Sequence, residues 1–190
     1  MELTKNRSNI KILKNITTVL LATVILTISA KIKIPFYPVP MTMQTFVVLL
    51  VGISFGWKIG IATISLYLLE GIIGLPVFSG TPEKGMGIVY FTGPTMGYLI
   101  GFIPAAYFAG KFKYEDVFNS NILQFFNNYL KLTFCVTFIY IFGLIWLGNI
   151  LGWDKPIYDL GAKPFLLAES FKLLLLTFIC GKISKFKKFI

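Results

Sequence analysis

The sequence predicts an all-α integral membrane protein: six transmembrane helices in a single compact bundle, with a long irregular outer loop between helices three and four. Three observations carry that prediction. Mean hydropathy is +0.77, and 56% of residues are hydrophobic against 14% charged, which lies outside the range of ordinary soluble domains. Apolar runs recur along the chain, and at roughly 20 residues per crossing six of them with short connections occupy most of its 190 residues. Residues 74–97 then gather six glycines and three prolines while staying apolar and aromatic, which no regular helix accommodates. Nothing divides the chain, so residues 1–190 read as one transmembrane domain.

The first helix is expected over about 15–33, after a basic tail carrying Lys5, Arg7, Lys11 and Lys14. Its small residues Thr23, Thr27 and Ala30 follow helical spacing and form a thin face. Such a face suits close packing in lipid, either within this chain or as a docking surface for another membrane protein. Pro35, Pro38 and Pro40 forbid helix interior before Met41. This rigid elbow delivers Thr42 and the uncharged Gln44 into the start of helix two, over about 41–56. Gly56-Trp57-Lys58 is a tight basic turn with an interfacial Trp. Helix three follows over about 59–73 and contains Glu70, whose cost in a membrane calls for a partner or a wet cavity.

The Gly/Pro-rich stretch is expected to fold over a cavity, because irregular backbone at membrane depth survives only where protein buries it or water bathes it. Pro94 opens helix four, about 94–110, in the favourable first-turn position. Gly97 and Gly101 give it another small-xxx-small face. Residues 111–131 read as a hydrophilic turn. Helix five is expected over about 131–148, and helix six over about 164–181.

Six spans place both termini, the 57–58 turn and the 111–131 loop on one side. Twelve of the eighteen Lys and Arg residues fall there, from Lys5 to Lys188, and Lys31, Lys33, Lys84, Lys155 and Lys163 lie opposite. The positive-inside bias predicts cytoplasmic termini in a multi-pass plasma-membrane protein in contact with lipid. The net charge of +10 is therefore a topology signal, and no nucleic-acid partner is expected. The Pro elbow, loop 74–93 and loop 148–163 cluster outside, where a solute would be captured.

Enzyme chemistry finds little support. There is no His, the commonest general base and metal ligand, and no nucleotide-binding glycine-lysine loop. Cys135 and Cys180 sit in apolar runs, so no disulfide is expected. No catalytic residue, metal or cofactor is assigned. Glu169 and Lys172, at i and i+3 on helix six, can pair on one face; ionisable groups inside a membrane segment are functional candidates, with a register-fixing ion pair as the structural alternative.

Three motifs together carry a likeness: Ile34-Pro35…Val39-Pro40-Met41-Thr42-Met43-Gln44-Thr45, then Gly74-Leu75-Pro76-Val77-Phe78, then Gly93-Pro94-Thr95-Met96-Gly97-Tyr98-Leu99-Ile100-Gly101-Phe102. In this order, across about residues 15–180, the chain resembles the BioY family, the biotin-specific substrate-capture components of energy-coupling factor transporters. The resemblance implies a six-helix S-component that binds biotin outside the membrane and docks on a transmembrane coupling protein with paired ATPases. It implies that the last-helix acid, here Glu169 where the family has Asp, contacts the ureido ring, with Lys172 kept. Ser79 follows the Gly-Leu-Pro-Val-Phe motif where some members have Asn, and Lys84 stands in for a loop Arg. Thr23 and Thr27 occupy the places of the family's Ala-xxx-Ala docking face. On this reading Gln44 or Ser79 serves the ring carbonyl, Lys84 or Lys172 neutralises the valerate, and Tyr90, Phe91 and Tyr98 pack on the bicycle. Alternatives are an S-component for another vitamin such as thiamine, a stand-alone biotin carrier, and a ligand-free membrane scaffold subunit.

Overall fold

The computed structural model describes residues 2–117 and 121–189, with side chains over 9–117 and 121–187. It is built almost wholly of helix: α1 (Glu2–Lys31), α2 (Gln44–Ile72), α3 (Met96–Lys111), α4 (Ile122–Leu151), the short α5 (Ile157–Gly161) and α6 (Leu166–Ile183). Among the described residues, four segments are long and apolar enough to cross a membrane: Asn9–Lys31, Gln44–Ile72, Ile122–Leu151 and Ile157–Lys187.

α2 is one unbroken element by its residue range and two helices by its geometry. Gly56 sits inside it at φ 84°, ψ 170°, a conformation that L side chains rarely adopt and glycine does freely. There the chain folds back. A Cβ added at Gly60 would lie 3.4 Å from the Cα of Gly52, and Gln44 Nε2 donates to Tyr67 Oη, 23 residues on, at 2.8 Å. In a straight helix those residues would stand roughly 35 Å apart. The turn expected at Gly56-Trp57-Lys58 is therefore present, between arms matching the two expected helices.

α3 lies between that hairpin and α4 and touches both at backbone distance. A Cβ on Gly101 would fall 2.6 Å from Ile139 Cα, and one on Gly52 2.6 Å from the Ala106 carbonyl oxygen. The small face read from Gly97 and Gly101 thus packs on α4. α3 begins at Met96, two residues after Pro94, and carries Pro104 internally, which a bundle in lipid tolerates. The core is formed by Leu49, Ile53, Ile64, Tyr67, Phe78, Phe102, Ala105, Leu132, Ile139 and Leu176, all at most 3% exposed.

Several expected boundaries move. α1 starts at Glu2 rather than about residue 15, so the basic tail continues the helix. α4 starts at Ile122 rather than about 131. Its first turns read as polar because of Asn127 and Asn128, but Asn128 is fully buried. That side chain donates to Glu115 O at 2.9 Å and accepts from Glu115 N at 3.4 Å, which satisfies it and pins the end of the preceding loop. Of the hydrophilic turn expected over 111–131, residues 118–120 lie outside the described residues. The elbow contains a feature the prolines hid: Lys33–Ile34 (β1) pairs antiparallel with Met41–Thr42 (β2), so Pro35–Pro40 is the cap of a two-rung hairpin.

Candidate functional site

One end of the bundle gathers the elbow, loop 74–95, the first turns of α3, the middle of α4 and the start of α6 around a cavity of about 60 Å³. Val39 to Thr42 come from the elbow, Gln44 and Thr45 from the first turn of α2, Phe78, Ser79, Tyr90 and Thr95 from the loop, and Tyr98, Leu99 and Phe102 from α3. Ile139, Tyr140, Phe165 and Glu169 close it. The wall is mostly apolar and aromatic with a few polar groups, the usual character of a small-molecule site.

Glu169 is the only carboxylate among the described residues that line it. It is 6% exposed, and its Oε1 accepts from Lys172 Nζ at 2.6 Å and from Thr45 Oγ1 at 2.9 Å. Its Oε2 is buried with no hydrogen-bond partner among the described residues. Lys172 does not line the cavity. Its ammonium is spent on Glu169, on Thr42 O at 2.6 Å and on Thr45 Oγ1 at 3.1 Å, so it ties α6 to the elbow and neutralises the acid from behind.

Gln44 is placed from two sides. Thr42 Oγ1 donates to its Oε1 at 3.2 Å, and its Nε2 donates to Tyr67 Oη. Tyr67 in turn donates to Val77 O at 2.9 Å, which anchors the start of the outer loop. Phe78 stacks on Tyr90 with ring centroids 4.7 Å apart, and Ser79 Oγ lies 3.4 Å from Tyr90 Oη. Tyr98 donates to Gly161 O at 2.8 Å and meets Tyr140 edge-to-face at 6.1 Å.

Five expected binding residues, Gln44, Ser79, Tyr90, Tyr98 and Glu169, therefore share one cavity formed from segments far apart in sequence. Two do not. Lys172 stands behind the wall, and Lys84 is exposed on the loop, its stem lying over Gly80. Phe91, expected on the bicycle, instead packs edge-on against Phe78 at 5.4 Å. The thin face of α1 turns inward. Thr23 is 2% and Ala30 0% exposed, and Thr23 Oγ1 donates to Glu70 Oε1 at 3.0 Å, the partner that Glu70 called for. The intramolecular packing role accounts for Thr23 and Ala30, with Thr27 half-buried beside them. Sequence reading missed Thr45, Tyr67 and Tyr140. A buried phenol needs a partner, which flags Tyr67, the residue that holds Gln44 from behind; nothing in its apolar surroundings marks the half-buried Tyr140 as a wall of the cavity.

The BioY family model matches residues 3–189. The chain belongs to the BioY family. Curated BioY relatives include a probable biotin transporter from Pyrococcus horikoshii, 32% identical over 159 residues that cover 84% of this chain and 89% of the relative. A probable biotin transporter from Rickettsia prowazekii is 26% identical over 92% of this chain and 85% of its own length. A solved structure described as the S-component for biotin from an ECF-type ABC transporter superposes with a TM-score of 0.72 at 25% identity, covering 93% of this chain and 94% of that one. The BioY fold thus runs through the whole bundle, and the chain is a membrane-embedded member of a transporter family rather than an enzyme.

Proposed function

We propose that this chain captures biotin outside the plasma membrane and delivers it inward as the S-component of an energy-coupling factor transporter. Family membership supports the transport class, and the printed descriptions of its relatives supply the solute. The observation that carries the site is Glu169, which lines a mostly aromatic cavity and whose second oxygen is buried without a donor among the described residues. A cyclic urea supplies what that oxygen lacks: N–H donors on a rigid uncharged ring. The ring carbonyl is served by the hydroxyls of Ser79 or Tyr90 or by the second N–H of Gln44. The bicycle packs on Tyr90, Tyr98 and Tyr140. No Lys or Arg among the described residues lines the cavity, so the valerate runs to the mouth beneath the outer loop, on whose surface Lys84 lies. A cavity of about 60 Å³ is smaller than the several hundred Å³ usual for small-molecule pockets, so capture moves the loop.

With α2 folded back at Gly56, helices α1, α2 (twice), α3, α4 and α6 make six crossings, both ends of the chain lying in the cytoplasm. The coupling protein then meets the outward stripe of α1, where Leu21, Val24, Ile25 and Ile28 are each about half exposed, rather than the buried Thr23 and Ala30. Paired ATPases complete the transporter.

Calorimetric titration of the detergent-purified protein with biotin tests the reading, with thiamine and riboflavin alongside. Saturable one-to-one binding of biotin alone is expected. Binding of another vitamin with no heat from biotin would overturn the ligand while keeping the fold, and a folded protein that binds none would leave the scaffold reading.

A further inference from the structure

The C-terminal end of α1 reaches the outer loop through two lysines 46–50 residues away from it in sequence. Lys31 Nζ donates to Phe78 O at 2.7 Å, to Thr81 O at 3.0 Å and to Thr81 Oγ1 at 3.2 Å. That uses all three donors of the ammonium. Lys33 Nζ donates to Ser79 O at 2.8 Å and lies 3.6 Å from Glu83 Oε2. Glu83 is 76% exposed, so that ion pair contributes little. The contacts to carbonyl oxygens are charge-assisted hydrogen bonds, roughly twice as strong as neutral ones.

These carbonyls belong to the segment that forms one wall of the cavity. Phe78 and Ser79 line it, Gly80 follows with no side chain, and Pro82 has no N–H to donate. Within the loop the turn is held by Thr81 N to Phe78 O at 3.3 Å and Thr81 Oγ1 to the same oxygen at 2.8 Å, by long contacts of Gly80 N and Ser79 Oγ with Tyr90 Oη at 3.4 Å, and by Lys84 N to Gly80 O at 2.7 Å beyond it. Before the turn, Tyr67 anchors Val77 and the Phe78 ring is wedged among Tyr67, Tyr90 and Phe91. The loop root is thus fixed by aromatic packing, and the orientation of residues 78–81 is fixed by α1. The cation that serves this loop is Lys31, not the exposed Lys84.

We propose that Lys31, assisted by Lys33, is a positioning residue for solute capture. By holding the carbonyls of Phe78 and Thr81, with Lys33 on that of Ser79, it turns the Ser79 hydroxyl toward the cavity and keeps the loop closed on a bound solute. The identity of that solute rests on the biotin reading above; the latch itself does not.

Lys31→Met keeps the length of the stem and removes the three donors; Lys31→Arg keeps donors. Two readouts on the detergent-purified protein decide. With Lys31→Met, biotin is expected to dissociate at least about tenfold faster, the scale of losing charge-assisted hydrogen bonds. Deuterium exchange is expected to rise in residues 78–84 while α2, α3 and the thermal midpoint stay as in wild type, and Lys31→Arg is expected to restore most of both. Lys33→Met, which removes the Ser79 contact and the exposed Glu83 pair, should give a smaller change of the same kind. Unchanged exchange in 78–84 would overturn the latch. So would exchange rising throughout the bundle, since that marks a merely structural lysine. Should wild type bind no biotin, the ligand assignment fails by itself, and the exchange pattern of the ligand-free variants still decides the latch.

Discussion

Glu169 and Lys172 are each costly in an apolar helix and tolerable as a pair, since removing one partner leaves an uncompensated buried charge. Their geometry divides the labour: Lys172 binds one oxygen of Glu169, and the other is buried without a hydrogen-bond partner among the described residues. Glu169→Ala should therefore weaken biotin binding by at least about 2 kcal/mol, as expected for a buried hydrogen bond to a charged group, measured by titration; unchanged affinity in a folded variant would remove Glu169 from the site. Lys172→Met should act on the fold. Stranding the Glu169 carboxylate is expected to cost about 3–5 kcal/mol, and the double change Glu169→Gln with Lys172→Met should recover much of it. Thermal unfolding in detergent separates the two, and a Lys172→Met protein as stable as wild type would refute the pairing argument. At this scale the sequence is legible where a residue is out of place. An acid and a lysine in an apolar run announce themselves, as does Gln44 behind three prolines. What Lys172 holds is not legible, because the Thr42 carbonyl lies 130 residues away and a carbonyl leaves no mark in the sequence.

Close contact between helices depends on missing side chains. α3 approaches α4 so nearly at Gly101 that a Cβ would meet Ile139 Cα at 2.6 Å and Phe138 O at 2.9 Å, backbone atoms that cannot swing away. Gly101→Val is expected to push the two helices apart, at about the 1–3 kcal/mol typical of overpacking. Because Tyr98 and Leu99 on α3 and Ile139 and Tyr140 on α4 line the cavity, the same change should weaken biotin binding as well. A Gly101→Val protein with wild-type thermal midpoint and affinity would show that the helices can separate freely there. Helix positions were legible because apolar runs and Gly or Pro breaks are local signals. Their ends were less so: α4 begins nine residues before its expected start because the Asn pair in its first turns looked like loop. The β1–β2 rungs were invisible, since two residues per strand make no period.

Across the whole molecule, five segments from residue 39 to residue 169 converge on one cavity at one end of the bundle. That convergence is what the sequence motifs implied without supplying the distances. Residue types alone could not say that Lys84 faces solvent while Lys31 holds the loop. The orientation of this end rests on charge. Lys58, Lys111, Lys113, Lys131, Lys182, Lys185 and Lys187 belong to the opposite end, where Lys111 Nζ lies 4.9 Å from the Trp57 ring centroid and Lys187 Nζ donates to Gly110 O at 2.8 Å. Basic residues are retained on the cytoplasmic side, and Trp and Lys are at home at a membrane interface, so the proposed topology puts the cavity end outside. Lys58 and Lys155 are exposed at opposite ends, and the native Cys135 and Cys180 are buried, which leaves engineered thiols as the reactive ones. In intact cells a membrane-impermeant maleimide should label Lys155→Cys and spare Lys58→Cys, and permeabilised cells should label both. The reverse pattern would put the cavity on the cytoplasmic side, where a protein that gathers solute from outside has no use for it, and would overturn the capture mechanism along with the topology.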